Sequence, residues 1–289
     1  MGHKKLRIID APFYNSWQAL YLAFYSSKLY VDVGKRWRGL GIKYLLLLSC
    51  VITIPFVIRI VVDFNYFFNE QLLKPIEDLP VFYVQKGNVF FAKPMPYIGK
   101  NNAGEVIYII DTTGKITDLD TKKFPYLSIL VTKNQIFYRL LDPHLYFVKH
   151  FTQSEKIYRE ELSENINQAF NGKIWLNLSQ IKLLKYFFQF SIYLCVVVVL
   201  FTFFLMLFLS FAMMGQLIAK LFFKFSLTYK QASRLLIVSS TPELTLFFIF
   251  LTLNKNYPWL GIFYLLTLGC YFSYALMSLK RATNKLVIS

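Results

Sequence analysis

The sequence predicts a membrane α-helical protein. It is read as a four-span bundle with an amphipathic N-terminal interfacial helix and a small α+β extracytoplasmic domain inserted between spans one and two. Three observations predict it. The 289 residues are 56% hydrophobic and 19% aromatic, with a mean hydropathy of +0.43, values that a soluble domain with a polar surface to cover seldom reaches. Four apolar stretches each come close to the ~20 residues that a ~30 Å hydrocarbon core requires. Finally, the net charge of +16 is crowded onto the flanks of those stretches, where membrane topology signals sit.

Residues 1–43 are read as a cytoplasmic interfacial helix and basic segment. Phe13, Trp17, Leu20, Tyr21 and Phe24 recur at helical spacing before "GKRWRG". Such a stripe suits a helix lying in the interface with Lys35, Arg36, Arg38 and Lys43 near anionic headgroups. It equally suits a helix packed against the bundle. The first span is 44–62. No small-residue cleavage site follows this apolar run, so it is read as a retained signal-anchor.

Residues 63–185 form the extracytoplasmic α+β domain. "LPVFYVQKGNVFF", "EVIYIIDTTGKIT" and "YLSILVTKNQIFYRLL" are β-branched and aromatic runs broken by turn residues, which predicts strands joined by tight turns. "SEKIYREELSENINQAF" predicts a polar helix closed by Asn171-Gly172. No cysteine lies in this insert, because Cys50, Cys195 and Cys270 all fall in apolar runs. The domain therefore has no disulfide framework available to it.

The second span is 186–210, continued by a cytoplasmic helical arm and basic loop over 211–234. Apolar residues run from Tyr186 to Phe223, which leaves a two-span hairpin as the alternative. One span is preferred because no turn signal precedes Gly215. The third span is 235–253, followed by a short outer loop at 254–258. The fourth span is 259–279, and 280–289 is a cytoplasmic tail.

Charge counting supports this layout. Segments 1–43, 215–234 and 280–289 hold eight, four and three Lys+Arg against two acids, Asp10 and Asp32, whereas 63–185 holds 15 basic and 13 acidic residues. The asymmetry places both termini in the cytoplasm.

Two stretches resemble a known family: "FYSSKLYVDVGKRWRGLGIKYLLLL" followed by "IP" (24–55), and "LTYKQASRLLIVSSTPEL" (227–244). The turn "IIDTTGK" (109–115) is similar to the same family's extracytoplasmic segment. It is a bacterial integral-membrane family of unknown function, some members of which are labelled maltodextrin-utilisation proteins, with distant similarity to Yip-type membrane proteins. The resemblance implies a multi-pass protein of the bacterial cytoplasmic (inner) membrane and carries over no active site.

The residues that invite a function are few. Glu243 sits near the middle of the third span, where a lone ionised carboxylate costs at least ~2.5–3.5 kcal/mol. Pro242 beside it frees the carbonyl of Val238. Arg59 is the basic residue well inside another span, one turn after Pro55, and is the candidate partner of Glu243. Two roles stay open for the acid. One is a structural pin, hydrogen-bonded to serine or to the freed carbonyl. The other is a group that helps to move a proton, ion or headgroup. In 211–234, Lys220, Lys224, Lys230 and Arg234 join the headgroup-binding set. Asp142, His144 and His150 are read as surface residues beside a proline turn, since a metal site needs at least three ligands in fixed geometry.

No Walker loop, nucleophile elbow, zinc-protease helix or dinucleotide fingerprint is present in the sequence. The expectation is a non-enzymatic inner-membrane accessory or scaffold protein, without cofactor, metal or nucleic acid. Its partners are membrane lipids and cell-envelope proteins in a larger complex or a homo-oligomer. The alternative is a small transporter or lipid translocator built around Glu243 and Arg59.

Overall fold

A computed structural model describes residues 11–101, 103–120, 122–139, 157–255 and 257–288. The chain divides into two compact units, a helical one (1–59 and 192–289) and an α+β one (60–191).

Two short helices open the chain, α1 (Ser16–Leu22) and α2 (Ser27–Lys35). Asn15 caps α1 in a capping box with Gln18, and the Ser26 hydroxyl accepts from the Leu29 amide to start α2. These caps break the single predicted amphipathic helix into two. Trp17 is 65% exposed, and Phe13, Tyr21 and Phe24 also face outward, while Ala19, Ala23, Leu29, Tyr30 and Val33 are buried. The segment thus has both an outward aromatic stripe and a packed face, so the two expectations for it are compatible.

The first expected span is a bent pair, α3 (Ile42–Ile52) and the segment Ile54–Glu77 that begins with α4 (Ile54–Tyr66), with a bend of 43° between the two. Pro55 stands in the first turn of α4, where its missing N–H breaks no intrahelical bond. Gly41 caps α3 with φ +89°, a conformation that only glycine adopts without strain.

The α+β unit continues through a π-helical segment (Phe67–Leu73) and α5 (Lys74–Glu77). Its first six strands are β1 (Phe82–Gln85), β2 (Asn88–Phe90), β3 (Tyr97–Lys100), β4 (Val106–Ile110), β5 (Ile129–Val131) and β6 (Gln135–Arg139). They are followed by β7 (Ile157–Glu161), β8 (Asn167–Phe170) and α6 (Gly172–Leu178). Two sheets form, ordered β2-β1-β8 and β3-β4-β5-β6-β7, antiparallel throughout except for the parallel β4–β5 pair. The Lys86-Gly87 turn closes the predicted β1–β2 hairpin with both residues at positive φ, as a tight two-residue hairpin requires.

One element departs from expectation. Of the expected helix "SEKIYREELSENINQAF", the described part "IYREELSENINQAF" is not a polar helix but strands β7 and β8 around a turn. Ile157–Glu161 pair with β6 and Asn167–Phe170 pair with β1. Ladder hydrogen bonds and Phe82–Phe170 ring stacking at 5.0 Å outweigh the helix propensity of the charged run, which tertiary context readily overrides. Asn171, expected to close a helix, instead starts one. Its side chain accepts from the Lys173 and Ile174 amides at the head of α6, a role asparagine fills equally well.

Asp111 anchors the turn after β4. Its Oδ1 accepts from the amide and hydroxyl of Thr113 (2.9 and 2.5 Å), and its Oδ2 accepts from the Ile116 amide (2.6 Å). Burial pushes the carboxyl up, but these hydrogen bonds together outweigh it and hold the group below the ordinary carboxylate range. The stabilisation is therefore complete above the unfolded pKa of ~3.9 and is lost as pH falls towards the lower folded value. Thermal melts in neutral detergent between pH 6 and 3 are expected to show this loss. In Asp111→Asn, stability at pH 6 should be lower and the pH slope shallower; an unchanged slope would remove Asp111 as its source.

The helical unit is completed by α7 (Ile181–Phe223), α8 (Tyr229–Ser239), α9 (Thr241–Thr252) and α10 (Leu260–Ile288). The α7 helix is unbroken over 43 residues, about 65 Å at ~1.5 Å per residue, so 186–223 contains no hairpin. Phe187, Leu194, Val199, Phe203 and Met206 face outward along it, a surface suited to hydrocarbon rather than water. The third expected span is again a bent pair, α8 and α9, turning by 41° at Ser240. Among the described residues two helices, α7 and α10, are long and apolar enough to cross a membrane. Counting each bent pair as one span brings the number to four.

Candidate functional site

The run "SSTPE" that breaks the third span explains itself at the atomic level. A proline at 242 removes the donor to the Val238 carbonyl. The Thr241 hydroxyl takes that carbonyl at 2.8 Å, the Ser240 hydroxyl takes Ile237 O at 2.8 Å, and Ser239 takes Leu235 O at 2.7 Å. Tyr44 of α3 closes the cluster from the side, its hydroxyl 2.6 Å from Thr241 Oγ1. The break is thus fully plugged by hydroxyls, and α3 is tied to the head of α9.

Glu243 lies in the first turn of α9, at the positive end of that helix. Its Oε2 is buried and has no hydrogen-bond partner among the described residues, so the expected bond to serine or to the freed carbonyl is not made. Thr241 already occupies that carbonyl. Tyr264 of α10 lies within electrostatic range of the carboxyl. One turn along α9, Phe247 meets the Tyr264 ring edge-on at 5.6 Å.

The expected Glu243–Arg59 pair does not form. The Arg59 guanidinium donates to the backbone carbonyl of Thr252, the last residue of α9. Thr252 is nine residues from Glu243, about 14 Å along the helix, beyond the reach of one side chain. The two charges instead sit at opposite ends of α9, acid at the head and base at the tail, the arrangement a helix dipole favours.

The basic residues expected at headgroups separate into two groups. Arg38, Lys43, Lys220, Lys224 and Lys230 are exposed. Lys35 donates to Ala282 O at 3.3 Å and Arg36 pairs with Asp32 at 3.3 Å. Arg234 is turned inward. It is 7% exposed, and its guanidinium donates to the carbonyls of Gly34 and Trp37 at the end of α2. The Gly34 carbonyl lies in the last turn of α2, where intrahelical donors run out, and it also accepts from Gln231 Nε2 at 3.3 Å. The Trp37 carbonyl lies two residues past the helix, and Arg234 bridges the two. Its surroundings therefore differ from those of a headgroup ligand.

The α+β unit contains a feature that the sequence reading missed. A cavity of about 630 Å³ opens between its helical segments and its sheets, within the ~300–1,000 Å³ usual for ligand sites. Phe67, Leu72, Ile76, Phe82, Ile136 and Trp175 contribute apolar walls, and Ser128, Arg139 and Glu160 contribute polar groups. The Arg139 side chain is fixed by donation to the Pro125 carbonyl. These walls come from segments over 100 residues apart in sequence, so no local motif marks them. Among the described residues no group of three or more His, Cys, Asp or Glu is placed to hold a metal ion. Asp142, His144 and His150 lie outside the described residues.

Comparison with known proteins gives one match. A family model described as a protein of unknown function, DUF1189, covers residues 17–276. No curated protein and no solved structure matches the chain. The matched region begins in α1, ends in α10 and takes in both compact units, including the broken span and the cavity, so the chain belongs to the DUF1189 family.

Proposed function

We propose that this protein is a non-enzymatic accessory protein of the bacterial inner membrane, which engages a cell-envelope partner through its α+β unit. The cavity in that unit carries the reading. It offers an apolar recess with a few polar groups at one side, a receptor for an apolar segment of another envelope protein. The excess of Lys and Arg in 1–43, 215–234 and 280–289 supports placing the α+β unit on the outer face.

The test is affinity purification of the full chain from membranes in mild detergent, followed by mass spectrometry. A stoichiometric companion is expected. Ile136→Trp, which fills the recess, should lower its recovery about tenfold, the effect of ~1.4 kcal/mol. Recovery unaffected by this substitution would sink the proposal.

The buried carboxyl oxygen of Glu243 favours a second reading, in which the broken span takes up and releases a proton or cation during transport. In that case Glu243→Gln abolishes substrate-dependent charge movement in liposomes and leaves companion recovery unchanged. Retained charge movement in this variant would exclude the role.

A further inference from the structure

A cleft of about 1040 Å³ lies in the helical unit between α2, α10 and the chain just before α1. Lys28 and Arg36 reach it from α2 and its C-cap, two turns apart, and Arg281 reaches it from α10. Ser27 and Ser278 add hydroxyls, and Phe13 and Tyr274 add aromatic walls. Three features show how these groups are held.

Arg36 is fixed in place, with its guanidinium 4.0 Å from the centroid of the Phe13 ring and Nη1 3.3 Å from Asp32. Asp32 is buried and also accepts from the amides of Phe13 and Tyr14 at 3.0–3.1 Å, so its charge is largely answered by groups already present. Neighbouring cations act as ties between helices: Lys35 donates to Ala282 O and Lys280 donates to Phe223 O at 2.7 Å. Lys28 and Arg281 differ. Among the described residues neither has a hydrogen-bond or carboxylate partner.

With Arg36 set against Asp32, about two positive charges in the cleft go unanswered among the described residues. A phosphate monoester carries roughly −1.5 to −2 at neutral pH and presents three acceptor oxygens. Guanidinium groups meet phosphate oxygens through planar forks, while a lysine adds a mobile point charge. The aromatic walls suit the organic part of such a molecule.

We infer that this cleft binds a phosphate monoester, with Lys28 and Arg281 holding the phosphate and Arg36 orienting it. The ligand is either a lipid with a terminal phosphate or a soluble phosphate ester. The site is independent of the cavity in the α+β unit.

Calorimetric titration of the full chain in neutral detergent tests it. The probes are dioctanoyl phosphatidic acid, dioctanoyl phosphatidylglycerol (a diester of lower charge) and glycerol 3-phosphate. The phosphatidic acid is expected to bind at least about tenfold more tightly than the diester, and Lys28→Ala with Arg281→Ala should weaken it by about 30-fold or more. The same double variant should keep its melting temperature, and Arg281→Lys should retain part of the affinity. Glycerol 3-phosphate binding as tightly as the lipid supports the site with a soluble ligand; weaker binding supports it with a lipid. Equal affinity for monoester and diester, binding unchanged in the double variant, or the same loss in an exposed control, Lys220→Ala with Lys224→Ala, would overturn it.

Discussion

Gly172→Ala is expected to destabilise the α+β unit by about 3 kcal/mol or more, at or above the upper end for over-packed sites. Gly172 opens α6 and is buried against α5. A Cβ built there lies 1.8 Å from the backbone oxygen of Ile76 and 2.8 Å from its carbonyl carbon. A backbone group cannot rotate aside as the end of a side chain can, so α5 and α6 must separate. Both helices help to wall the cavity, through Pro75 and Ile76 on α5 and Trp175 on α6. The cost should therefore appear as lost stability and as weaker partner recovery together. Melting temperature followed by tryptophan fluorescence is the measurement, with a fall of roughly 8 °C expected for this size of unit. A fall below about 2 °C would mean that the helices part freely and that the close approach is not a constraint.

The second large effect is expected at Arg234. Arg234→Ala leaves the Trp37 carbonyl without its charged donor and the Gly34 carbonyl with Gln231 Nε2 at 3.3 Å as its side-chain donor. Each hydrogen bond to a charged group contributes ~1.5–3 kcal/mol, so two give roughly 3–6 kcal/mol, and the Gln231 bond that stays on Gly34 O puts the expected loss at the lower end, about 3 kcal/mol. Arg234→Lys should recover part of this, since an ammonium on a shorter stem cannot reach two carbonyls with one planar fork. Thermal unfolding in mild detergent separates this role from headgroup binding. A structural donor lowers the melting temperature in the absence of any lipid. A headgroup ligand would leave that temperature unchanged and reduce lipid affinity alone, and that result would overturn the assignment.

Particular residues show where the sequence could be read and where it could not. The hairpins at Lys86-Gly87 and Lys133-Asn134 were legible because turn chemistry is local: residues that tolerate positive φ or tight turns stand between β-branched runs. The break at Pro242 was legible for the same reason, since a proline acts on the carbonyl four residues before it wherever it stands. What fills that carbonyl was not legible. Ser, Thr and Glu were all in reach along the chain, and the choice of Thr241 depends on the rotamers allowed once Tyr44 packs against it. The Glu243–Arg59 pair failed because linear depth along two helices says nothing of which acceptor a guanidinium meets, here Thr252 O.

The segment around β7 and β8 shows the same limit in a different form. "KIYREEL" has no strong preference of its own, and a strand gains its hydrogen bonds only from a partner remote in sequence. Arg234 repeats it for charge: a basic residue beside a span reads as a headgroup contact until tertiary packing brings two backbone carbonyls to it.

What the sequence alone determined is the class of protein, four apolar segments in order, their asymmetric flanking charge and the insert with its turns. These follow from hydropathy, charge and local backbone preference, which act over a few residues. The tertiary structure alone decided the bend angles, the burial of Glu243, the partners of Arg59 and Arg234, the identity of β7 and β8, the cavity in the α+β unit and the cleft between α2 and α10. Each of these depends on groups far apart along the chain meeting within a few ångströms, and no short-range rule specifies such a meeting.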